Sequence, residues 1–549
     1  MKLHSEGDFL KAFNILDNTI SKYSNTPAYF YVKSLLYLKD SYLSGEVSVK
    51  FISNTLLRYS RLIYTRNIFD EKVFESFVDI SDEFGFEDIT YQSLKNLLFT
   101  NPSNRAGIYF LVRNLFSKGK YEYIPRISKK YLDLVEIPEM SYYALLSKIY
   151  TYEYSDFDVI LQDIVYNYDS DEVRFIVANT YYHTMDFDKA WEFLDTENRI
   201  IDQELQLKLM ILRNESKNKI SQFVKIHSKS ISKDLIALAK AFTEDGEMLQ
   251  KLVERKITSK EPTYIEPIYL YLGMRFFKNS EVYNKSVEKL AINFFSKKLY
   301  QKVIQLLSGK KGLSKESKYI LALSHIEVGE YRKALPLLEE LKNYFLEAEV
   351  KTASVYVEIG EFNRALREAK SIKQKVISRG SDLNKMVLSH VFLEIGDVSS
   401  SEEVYNSIED KSSFYAKFLY ATILFYKKEY ALSEKVIQRL YDEDKYNPDL
   451  INSLAFIWAV QNKNLKEALI LSKYSTVFDD NYYYFDTLAY IYLKLGEINL
   501  ARESIEKAIM LMERNNRFSK DIYIRAYGIY KQLGEYDKSR LMLSKANRE

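Results

Sequence analysis

Five histidines are the chain's imidazoles: His4, His183, His227, His325 and His390. No two are close enough in sequence to put a pair of metal ligands on one helix face. There is no cysteine, which excludes disulfides, thiolate metal sites and cysteine nucleophiles. Ser308-Gly309-Lys310-Lys311-Gly312 has some residues of a phosphate loop but lacks the preceding glycine of the full spacing, and a helix-ending glycine accounts for it as well. Neither a Gly-rich dinucleotide fingerprint, nor GxSxG, nor HExxH occurs. Carboxylates are abundant, but none stands in an apolar run that would raise its pKa. Residue types that catalyse are present without the spacings that catalysis needs. The sequence therefore predicts no enzyme, no cofactor and no metal.

Those residues must sit on helices. The chain has 549 residues, more than one compact core usually holds, so several domains or an extended repeat array is expected. Apolar residues make up 47% and charged residues 28%, a folded rather than disordered balance. Only 8 Pro and 16 Gly disfavour turn-rich β folds. A net charge of +2 is no design for holding polyanions. The 47 tyrosines suit thin helical layers, where a ring packs and its hydroxyl still reaches water. No apolar run approaches the ~20 residues of a spanning helix. The N-terminus, MKLHSEGDFLKAFNIL, lacks an apolar signal core. Compartment stays open: cytoplasmic as written, periplasmic if a leader or lipid anchor has been removed. Richness in Lys, Ile and Tyr suggests an AT-rich bacterial source.

The best-formed unit is Tyr482–Ile509. Leu488, Ala489 and Tyr492 share one face of a first helix, and Ala501, Ile505 and Ala508 share one face of a second. Gly496 falls where the first helix must stop, because Gly tolerates the left-handed backbone of a helix end. Small residues let the two backbones approach, and neighbouring pairs cover the rest. This order of residue types resembles the tetratricopeptide (TPR) repeat. The resemblance implies an all-α, right-handed superhelical solenoid of TPR-like helix-turn-helix repeats.

Further copies follow Ala322, Gly329 and Ala334; Ala353, Gly360 and Ala365; and Phe392, Gly396 and Val398. Ala421, Tyr430 and Ser433 continue without the glycine, Ala455, Leu465 and Ala468 carry an extra loop residue, and Tyr527, Gly534 and Ser539 close the series. Gly329 to Gly360 is 31 residues and Gly360 to Gly396 is 36, bracketing the ~34-residue TPR period. The pattern is regular over 285–549, recurs at 1–27 and 105–195, and thins elsewhere. Glu261-Pro262 and Glu266-Pro267 suggest the one internal break. The expected organisation is divergent repeats over 1–260, a break or linker helix region over 261–284, and better-formed repeats over 285–549.

Charge is uneven. Glu75 to Asp88 holds six acids and no base, and Glu153 to Glu172 seven acids and no base. Lys208 to Lys233 holds seven bases against Glu215, and Lys297 to Lys318 seven lysines against Glu316. Solvated helix faces explain this, and so does a polarised rod capable of head-to-tail self-association. The basic runs are Lys-rich without interleaved aromatics, so nucleic acid is not favoured.

The TPR resemblance implies that the first helix of each pair lines a groove for a peptide or partner helix. The residue two before the turn glycine then faces that groove: Glu327, Glu358 and Glu394, with His390 one turn before Glu394. Chaperone-binding TPRs use Lys and Asn there to clamp a terminal carboxylate, and here Glu replaces the key Lys. Lys494 is the single match, and Tyr483 and Tyr490 share its face. The expected function is a protein-protein interaction scaffold or adaptor whose C-terminal groove takes a basic or amine-bearing protein or peptide. A peptide-sensing regulatory solenoid and a structural subunit of an envelope or motility assembly are the alternatives.

Overall fold

The computed structural model describes residues 2–23, 26–65, 70–131, 138–155, 157–168, 170–194, 202–258, 266–278 and 280–547. Every regular element among the described residues is helical.

Helices pair into hairpins through one recurring turn. Helix Lys315–Glu327 ends, Gly329 takes φ +76°, and helix Tyr331–Leu341 begins. The residue after the left-handed position donates its N–H to the carbonyl five residues back, as Glu330 does to His325 at 2.7 Å. Glu361 does so to Tyr356, Asp397 to Phe392, Glu497 to Tyr492 and Glu535 to Tyr530, at 2.8–2.9 Å. This is the hydrogen bond of a Schellman cap, and it satisfies a carbonyl that a helix end otherwise orphans. Where the sequence lacks the glycine, another residue adopts the same backbone: Met185 (φ 60°), Lys298 (φ 57°) and Lys428 (φ 65°). The extra residue expected between Ala455 and Ala468 is seen as two left-handed asparagines, Asn462 and Asn464, in one turn.

Small residues bring the paired helices together. Ala322 and Ala334, Ala353 and Ala365, and Ala489 and Ala501 are all fully buried. Where serine takes the place of alanine, its hydroxyl stays within the hairpin. Ser433 Oγ donates to Ala421 O at 2.7 Å and Ser539 Oγ to Tyr527 O at 3.1 Å. Ser389 donates to Ser401 O at 2.9 Å. Each of these pairs lies 12 residues apart, the spacing of the alanine pairs. Successive hairpins then share a core, such as the cluster of Val350, Ala353, Ile372, Val376, Leu388 and Phe392.

The chain forms two compact units, each built from two stretches of sequence. In the first, Met1–Met140 packs with Ile437–Ala508. Lys95, almost fully buried on helix Glu87–Thr100, reaches Glu467 on helix Leu465–Phe478 at 2.6 Å. The Tyr91 and Tyr441 hydroxyls meet at 2.8 Å, and the Tyr446 hydroxyl donates to Asn114 Oδ1 at 2.5 Å. In the second unit, Ser141–Val436 packs with Ile509–Glu549. The break expected at 261–284 falls partly outside the described residues. Residues 259–265 lie outside the described residues, and Pro267 opens helix Pro267–Phe276 at a position where its missing N–H costs nothing.

Candidate functional site

Glu327 and Glu358 are the last residues of their helices, and Glu394 is the last but one of helix Asp382–Ile395. All three therefore sit beside a left-handed turn glycine, on the second unit. Glu327 is exposed, and no ion pair involves it among the described residues. Glu358 is half-buried and already engaged: Arg517 Nη1 lies 3.0 Å from one carboxylate oxygen and 3.2 Å from the other. Glu394 keeps about a third of its side chain accessible, at 32%. Desolvation, with some opposition from His390 and some help from Asp521 and Glu358, pushes its carboxyl above the usual range. His390 Nε2 stands 3.7 Å from Glu394. Tyr426 faces the same carboxylates, and burial raises its phenol, reinforced by Glu394 and Asp521. The structure thus gathers Glu358, Glu394 and His390, and adds Arg517, Asp521 and Tyr426, which sequence reasoning had not singled out.

Of these, Arg517 comes from the loop between helices Ile498–Arg514 and Lys520–Gln532. Phe518 N–H donates to Glu358 O at 3.0 Å, and Asn516 Nδ2 to Gly329 O at 3.3 Å. The Phe518 ring lies 5.8 Å from the Phe362 ring, edge on, and only 2.7 Å from where a Cβ on Gly360 would stand. A Cβ on Gly329 would meet Asn515 O at 3.1 Å. These two glycines do double duty, giving the left-handed turn and the clearance for a second segment. No local pattern marks the loop, because its partners lie 159 and 187 residues away.

Tyr483, Tyr490 and Lys494 belong to the first unit, on helix Tyr482–Leu495. Tyr483 is 44% exposed, Tyr490 packs 5.6 Å from Phe456, and Lys494 lies over the Tyr490 ring at 5.3 Å. The predicted groove residues therefore fall into two groups on separate units.

Other residues singled out in the sequence are absorbed by packing. His325 is 5% exposed with Nδ1 2.7 Å from Glu330. Ser308–Gly312 joins two helices, and Lys310 reaches the Tyr283 hydroxyl at 3.0 Å. The charged runs pair internally: Glu83 with Lys39, Asp79 with Arg113, Glu87 with Lys118, Glu153 with Lys298, and Lys208 with Glu266.

Hairpins closed by a Schellman turn, with small residues at fixed spacing, define an all-α helical repeat protein. No protein-family model matches the sequence, and no curated protein does either. Solved structures do match. One is the hetero-tetramer of Cut9 and Hcn1 from the APC/C, with 13% identity, a TM-score of 0.36, and 83% of this chain and 89% of that chain covered. Another is a tetratricopeptide repeat protein from Parabacteroides merdae, with 15% identity, a TM-score of 0.35, and 48% of this chain and 99% of that chain covered. The fold assignment stands on the repeat geometry itself.

Proposed function

We propose that the chain is a non-enzymatic scaffold that holds a partner protein against the turn-proximal faces of its repeats, and that the acidic face of the second unit takes a basic segment. The observation that carries this reading is the guanidinium already bound there. Glu358 accepts Arg517 through both carboxylate oxygens, next to Glu394 and the exposed Glu327. A surface that desolvates one carboxylate and pairs another favours cations over water. Pre-ordered helices present these groups without an ordering cost at binding. Self-association through opposite charge runs has less to draw on, because many of those charges are paired within the fold. Affinity capture from the cell of origin tests the proposal. Glu327→Lys alone, which breaks no ion pair among the described residues, and the triple change with Glu358→Lys and Glu394→Lys are each expected to lower partner recovery at least tenfold. Recovery unchanged in the triple variant disposes of the acidic face.

The seated loop also favours a second reading, a peptide-sensing regulatory repeat protein. A surface that holds one extended segment in place can exchange it for another. An added basic peptide that leaves amide exchange unchanged across residues 325–362 counts against that version.

A further inference from the structure

We propose that the face formed by Val328-Gly329 and Glu358–Phe362 is a docking site for an arginine-aromatic segment, and that Asn516-Arg517-Phe518 is its resident, displaceable ligand. This rests on the acidic face proposed above and names what it recognises.

Three consecutive residues are read by one surface. Asn516 gives its side-chain amide to Gly329 O, Arg517 its guanidinium to the Glu358 carboxylate, and Phe518 its backbone N–H to Glu358 O. The Phe518 ring fills the space that Gly360 leaves by having no side chain, and packs on Phe362. The pocket is therefore shaped for an aromatic ring directly after an arginine.

Local preference shapes only the start of the loop: Asn516 (φ 54°) takes the left-handed cap of the preceding helix, with Arg517 N–H donating to Met512 O at 3.0 Å. Ser519 stands at the N-cap of the next helix, yet its hydroxyl makes no capping bond. Asn515 and Asn516 are exposed, and Arg517 and Phe518 only half-buried. Beyond that cap, a few docking contacts hold a solvent-accessible segment, which a competitor can lift. The advantage of the resident loop is its tether, which acts as a high effective concentration. A partner in trans must supply a better segment or arrive where the loop is already loosened.

The test uses the full chain and a labelled synthetic peptide of residues 513–521, Glu-Arg-Asn-Asn-Arg-Phe-Ser-Lys-Asp. With Arg517→Ala and Phe518→Ala in the chain, the vacated face is expected to bind this peptide at least tenfold more tightly than the wild-type chain does. Glu358→Gln added to that background is expected to remove the gain, and a scrambled peptide of the same composition to show none. Equal binding by wild type and variant, equal binding of the scrambled peptide, or no binding to the variant overturns the proposal. Should the double variant not fold, Phe518→Ala alone empties the ring's place while leaving Gly360 and Glu358 intact, and must give a gain in the same direction. The peptide needs no natural partner, so failure here is distinct from failure of the capture experiment, in which Glu327→Lys leaves the loop untouched.

Discussion

Burial separates two bases in the second unit from their counterparts in water. Lys297, 6% exposed, lies 5.3 Å above the Tyr154 ring with Nζ 3.4 Å from His183 O, and desolvation lowers its pKa to about 8. His183 falls to about 3, first through desolvation and then through Lys297 and Lys208. Both shifts are downward, so in each window the unfolded chain binds more protons and stability rises with pH. For Lys297 the window runs from about 8 up to the ordinary value of 10.5, and for His183 from about 3 up to 6.5. Lys297→Met is expected to stabilise the chain by about 1–2 kcal/mol at pH 7, once the lost hydrogen bond is set against the relieved burial of charge. That advantage should fade as pH rises through 8 towards 10.5, which urea titrations at stepped pH would show. In the same titrations, wild type should lose stability below pH 6.5 by up to about 1.4 kcal/mol per pH unit from this histidine, a loss that His183→Leu removes. No sequence pattern marked Lys297, because its environment comes from a helix end more than a hundred positions earlier.

Hairpin turns were the most legible elements. Gly329, Gly360, Gly396, Gly496 and Gly534 were picked as helix stops, and all have φ between 76° and 89°. The physical reason is local: a left-handed cap favours the residue without a Cβ. The same rule makes Lys428 an element-scale liability, since it is exposed, holds φ 65°, and stands where its neighbours have glycine. Lys428→Gly is expected to raise stability by about 0.5–1 kcal/mol, read as an increase in Tm. Glycines also differ among themselves. Gly496→Ala meets nothing within 4 Å and is expected to cost only the backbone strain of about 1–2 kcal/mol. Gly360→Ala adds a collision with Phe518 and should cost more, with raised amide exchange at residues 516–519. Sequence alone could not rank the two, because the distinction belongs to a segment from another part of the chain.

At the scale of the whole molecule, each compact unit is closed by residues far along the chain. In the first, Lys130 pairs with Asp480 at 3.0 Å and the Tyr123 hydroxyl donates to Asp444 at 2.7 Å. A chain ending at residue 436 would leave Lys130 and Tyr123 without these partners, and Tyr91 and Lys95 without Tyr441 and Glu467. It is expected to show raised amide exchange over residues 87–131, and around Gly329 and Glu358–Phe362, which lose the segment at 515–518. What the sequence determined by itself was the repeating unit: all-helical hairpins, small residues at their contact and glycine at their turns. Periodicity, caps and side-chain size act within a few dozen residues, so they can be read from order alone. Tertiary structure decided which hairpins meet across hundreds of residues, and so that Glu358 faces Arg517 instead of open solvent. Such contacts join residues more than a hundred positions apart, a pairing that no single repeat records.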